Sequence, residues 1–177
     1  MIRSLFPTWL IRLAPVGLLL LGFQRTLFVE IQPFGVVIPI LMVFAAAAGA
    51  VGGPERGAMV GFVLGLCLDL TLGIPLGVSA IAMVSAGVIA GWIDVIRIET
   101  TWWLAAIFTG IGAGVGEMLV PVIRNFTAEQ DPASISHSAL IGSVVAVAGG
   151  LLGIILVPIA RWTLAIEPPE WKVPTDD

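Results

Sequence analysis

The chain has 177 residues, of which 58% are apolar and 11% charged, with a mean hydropathy of +1.08. Soluble domains carry about 25% charged residues, so 8 basic and 12 acidic side chains are too few to cover a water-soluble surface, and the composition excludes a disordered chain as well. A net charge of −4 leaves no basic patch for nucleic acid, while one cysteine, Cys67, and one histidine, His137, exclude a disulfide framework and most metal or triad chemistry.

A bilayer core of about 30 Å needs roughly 20 mostly apolar residues per helix. On that measure the sequence predicts an all-α polytopic membrane protein whose single domain, residues 1–166, is a six-helix transmembrane bundle. The first span covers about 10–29. Arg3 and the apolar stretch behind it resemble the start of a signal peptide, but no small-residue cleavage pattern follows, so a retained span is expected. The second span, about 34–52, stops at Gly53-Pro54-Glu55-Arg56. The third and fourth, about 57–72 and 76–93, are split by Gly73, Pro75 and Gly77, because proline removes a donor and clashes inside a helix. The fifth covers about 101–123. The sixth, about 139–160, follows an outer loop holding Ser136, His137 and Ser138, and residues 167–177 form a short polar tail.

Basic residues set the orientation. With the amino terminus inside, Arg3, Arg12, Arg56, Arg97, Arg161 and Lys172 are cytoplasmic, and Arg25 and Arg124 lie outside. Trp9, Trp92, Trp102, Trp103, Trp162 and Trp171 also fall at or beyond the cytoplasmic ends, so both termini are expected in the cytoplasm.

Gly57, Gly61, Gly65, Asp69 and Gly73 recur every four residues, on one helix face. Such glycines let a neighbouring backbone approach closely, and intramolecular bundling accounts for most of them. Ionisable groups inside spans are functional candidates that need a partner. Asp69 also stands near a helix carboxyl end, where the dipole disfavours an anion. Arg25, Glu117 and Arg124 lie at similar depth, and Glu117 and Arg124, seven apart, share a face. These four residues are expected to form a polar cluster in the outer half of the membrane, provided the first, third and fifth spans are neighbours. An ion pair bracing the bundle, a ligand pocket and a contact to another membrane protein all remain open for it. Asp94 with Arg97 reads as a solvated pair, Glu30 as solvated, and Cys67 as a small apolar filler. No P-loop, HExxH, GxSxG or CxxC occurs, so neither catalysis nor a cofactor is expected.

The run from Gly61 to Ala80, GFVLGLCLDLTLGIPLGVSA, resembles the signature of the rod shape-determining protein MreD family: a glycine-spaced helix, a GLxxDL element, a GxPLG turn and an alanine-bearing helix. Outside these 20 or so residues the likeness is one of length and hydropathy. The resemblance implies a multi-pass protein of the bacterial inner membrane that is no enzyme. It implies binding to the single-span protein MreC and, indirectly, work with MreB, RodA and its partner transpeptidase in the elongasome. The implied role is cell shape and control of peptidoglycan synthesis, with self-association left open. The implied fold is similar to the S-components of energy-coupling-factor transporters, which supplies the rival reading: a substrate-binding subunit for a vitamin or metal. The first span, Leu13-Ala14-Pro15-Val16-Gly17-Leu18, lacks the repeated Ala-x-x-x-Ala docking face of many such subunits.

Overall fold

The computed structural model describes residues 8–26, 35–73, 75–95, 101–127 and 135–166. Arg3, Glu30, Arg97, Trp171, Lys172 and the tail 167–177 lie outside them. The described residues form helices and no strand: α1 (Thr8–Thr26), α2 (Ile40–Leu72), α3 (Val78–Val95), α4 (Trp102–Thr127) and α5 (Ile135–Thr163).

Element α2 is two arms. Gly53 has φ 82° and ψ 171°, a region essentially restricted to glycine, and Pro54 follows at the first position of the second arm, where its missing N–H costs no hydrogen bond. The chain reverses there. A Cβ built on Gly57 would lie 2.5 Å from the Gly49 Cα, whereas eight residues along a straight helix would separate the two glycines by about 12 Å. The first arm, residues 40–52, is apolar on every face, and residues 40–50 are buried throughout. It is the post of the molecule, as expected for a helix without a polar stripe. α2 touches every other helix; α3 packs on α4, α4 on α5, and α1 rests on α2 and α5.

The two ends of the molecule differ. At one end Arg12 of α1 donates from Nη1 to the Trp162 carbonyl of α5 at 3.2 Å, and its guanidinium stands 5.5 Å from the Trp162 ring centre. That places a cation on a helix carboxyl terminus and over an indole face, both favourable. The Gly53 turn and Asp94 meet at the same end, where a Gly53 Cβ would come 3.1 Å from the Asp94 carboxylate. The opposite end carries Gln24, Asp69, Glu117 and Arg124.

The exterior is apolar. Leu18, Leu70, Val147 and Leu151 are each at least 65% exposed, and Trp92, Trp102, Trp103 and Trp162 also face outward. Trp102–Arg124 and Ser138–Thr163 are long and apolar enough to cross a membrane; Val78–Asp94 is a shorter apolar helix. α5 begins four residues before the expected start at 139, so His137 and Ser138 belong to its first turn and not to a loop. Pro132 is the last proline or glycine before this point, and none follows until Gly142, so nothing in 133–141 opposes an earlier start.

Candidate functional site

Asp69 is fully buried, three residues before Leu72, the last residue of α2. The arm ends on Gly73, whose left-handed backbone (φ 65°) returns its N–H to the Asp69 carbonyl at 3.0 Å. The chain then turns through Pro75 and Gly77, the latter at φ 105°, and enters α3. There the Asp69 Oδ2 accepts the Gly77 N–H at 2.8 Å and the Oδ1 accepts the Ser79 N–H at 3.0 Å. Gly77 is the N-cap of α3, its carbonyl accepting from Ile81 at 2.9 Å. One carboxylate thus satisfies two donors that the helix start leaves without a partner.

This corrects the electrostatic expectation for Asp69. The residue does stand near a carboxyl terminus, but the tight turn sets its side chain on the amino terminus of the next helix, where the dipole favours an anion. The GLxxDL and GxPLG elements are two halves of one cap: the aspartate supplies acceptors, and the glycines bring the α3 amides within reach.

The expected four-residue cluster is not assembled. Asp69 turns its two oxygens to α3, Arg25 is exposed near the end of α1, and α1 makes no contact with α4 among the described residues. Of the three spans expected to be neighbours, the first and third do meet, Gly17 of α1 facing Leu64 on the second arm of α2, and α2 also packs on α4, but α1 does not reach α4. Glu117 and Arg124 lie about two turns apart on α4. Glu117 is half-buried and continues the stripe begun by the buried Thr109 and Ala113.

The glycine ladder faces the chain's own α3. A Cβ on Gly57 would meet the Gly87 carbonyl, one on Gly61 the backbone of Met83 and Val84, and one on Gly65 the backbone of Ser79 and Ala80. Gly73 and Gly77 have open space around their Cβ positions and serve the turn instead. α4 carries two further small-residue stripes, Gly110 and Gly114 toward Ala146, Gly142 and Gly150 of α5, and Gly112 and Gly116 toward Ala82, Ala86 and Ala90 of α3.

Gln24 is the residue that sequence reasoning passed over. It continues the buried α1 stripe Leu13, Gly17, Leu20, and its Oε1 accepts the Leu41 N–H at 3.0 Å. α2 starts at Pro39, which offers no side-chain cap of its own, so an α1 side chain supplies it. A neutral amide in the last turn of a mostly apolar helix was the available signal.

Two apolar grooves mark the surface. One, of about 520 Å³, runs between α4 and α5 past Trp102, Trp103, Ala106 and Gly150. Another, of about 260 Å³, lies between α1 and the second arm of α2 and includes Leu13, Gly17 and Cys67. Among the described residues no three of His, Cys, Asp and Glu are grouped to hold a metal ion. No family model, curated protein or solved structure matches this chain.

Proposed function

We propose that this chain is a non-enzymatic, six-span scaffold of the bacterial inner membrane, of the MreD kind, that helps control wall elongation by holding a single-span partner such as MreC. The Gly61–Ala80 element carries the reading: within it the buried Asp69 caps the start of α3 across the turn that ends at Gly77, tying a helix pair together. The outward-facing leucines, valines and tryptophans support the membrane setting, since a soluble monomer rarely exposes so much contiguous apolar surface. Counting the arms of α2 separately supports six spans. With Arg12, Arg56 and Arg161 at the tryptophan-rich end, that end is cytoplasmic and both termini lie there. A scaffold that regulates must bind two states of its partner with different affinity, and a rigid bundle with apolar outer faces suits such helix contacts.

The test is affinity purification from native membranes in mild detergent, followed by native mass spectrometry. A stoichiometric single-span partner is expected, and depletion of the chain should round the cells. A vitamin-sized bound mass together with an ATPase module would replace this reading with that of a transporter S-component.

A further inference from the structure

We infer that the groove between α4 and α5 is a binding site for one anionic diacyl phospholipid of the leaflet at the tryptophan-rich end. The inference rests on the membrane reading of the fold but not on a role in wall growth. The 520 Å³ groove has a floor of small residues, Ala106, Ala146 and Gly150, between ridges that include Trp102 and Trp103 on one side and Leu151 and Ile154 on the other. Trp102 and Ile154 also line a second hollow of about 210 Å³, which continues toward the helix end past Pro158 to Arg161. The two hollows adjoin at Trp102 and Ile154, the larger one apolar and the smaller one reaching Arg161, which alone among the lining residues is charged.

That polarity matches a phospholipid, whose acyl chain needs apolar walls and whose phosphate needs a cation at the interface. Paired indoles at the mouth occupy the depth where amphipathic rings settle. The dimensions favour a chain over a protein helix: one helical turn about 10 Å wide and 5.4 Å tall fills roughly 400 Å³, so the groove would seat little more than a single turn of a partner span. A flexible acyl chain follows a narrow channel floored by glycine and alanine without demanding a matching ridge pattern.

The full-length protein, purified in detergent and stripped of native lipid, would be titrated with phosphatidylglycerol and, separately, phosphatidylcholine, and the bound lipid counted by native mass spectrometry. One tightly held lipid is expected, with about a fivefold preference for phosphatidylglycerol, the scale of one basic residue at a membrane surface. Arg161→Gln should abolish the preference while leaving one lipid bound. Gly150→Leu should reduce retention of both lipids: a Cβ there has only the Ala106 carbonyl nearby, at an ordinary 3.7 Å, so the longer side chain fills the floor. Equal retention of the two lipids by the parent protein, or a preference unchanged in Arg161→Gln, overturns the site. So does a Val147→Cys probe that crosslinks in native membranes to another protein and not to lipid. Recovery of the chain outside the membrane fraction would instead overturn the membrane reading itself.

Discussion

The second arm of α2 and the helix α1 are both apolar segments with glycine on the buried face, yet they join the molecule by different means. Along the second arm, Gly57, Gly61 and Gly65 bring the backbone directly against that of α3, and Asp69 locks the far end with two hydrogen bonds. α1 offers one side-chain stripe, Leu13, Gly17 and Leu20, and is fastened at its two ends by Arg12 and Gln24. Even its close glycine, Gly17, faces the flexible δ-methyl end of Leu64 and not a carbonyl. Backbone contact cannot adjust, whereas a side-chain contact can rotate aside, so the same residue type has opposite tolerance in the two regions.

The sharpest test of the contrast is Gly61→Ala. The added methyl would fall on the Met83 carbonyl and the Val84 nitrogen, neither of which can move without shifting α3. A loss of about 3–4 kcal/mol is expected, at the upper end for overpacking, read as a lowered midpoint of denaturation in detergent. The matched Gly17→Ala in α1 should cost less than half as much, and equal losses would remove the distinction.

Asp69→Ala comes next. It leaves the part-buried Gly77 and Ser79 amides without acceptors, at a cost of about 2–3 kcal/mol. Asp69→Asn keeps one acceptor but turns an NH2 group toward the second amide, for roughly half that loss. A fall in Asn as large as in Ala would show that charge, and not the pair of acceptors, holds the helix start.

The all-helical character of the chain, the break at Gly53-Pro54 and the turn at Gly73 to Gly77 were legible because glycine and proline act locally. The glycine ladder was legible as a packing face, but not its partner, since spacing along one helix says nothing about which helix lies opposite. Asp69 was read on the wrong dipole for a related reason: its own helix was visible in the sequence, but the amino terminus brought back by the turn was not. The cluster with Arg25 and Glu117 needed α1 beside α4, a contact between segments about 90 residues apart that hydropathy does not encode. Gln24 was overlooked because a neutral amide leaves no charge to mark it, although it faces the same solvation penalty inside an apolar helix.

Gln24→Ala probes the attachment of α1. It removes one neutral cap from the α2 start, worth about 1 kcal/mol, and should raise hydrogen exchange at Leu41 while leaving α3 protection unchanged. Loss of protection throughout α2 and α3 would instead make α1 part of the same cooperative unit as the glycine seam.

The smallest effect separates the regions most cleanly. Gly22 lies on the exposed side of α1, with nothing within 4 Å of the position a Cβ would take. Its replacement by alanine adds no clash, and glycine inside a helix costs about 0.5–1 kcal/mol relative to alanine. Gly22→Ala should therefore leave the denaturation midpoint unchanged or raise it slightly, the reverse in sign of Gly61→Ala. The open space beside Gly22 is space left by this chain, so a marked loss of function with stability intact would mean that another molecule's backbone comes as close to Gly22 as α3 comes to Gly61. The outer face of α1 would then join the second arm of α2 among surfaces that tolerate no side chain.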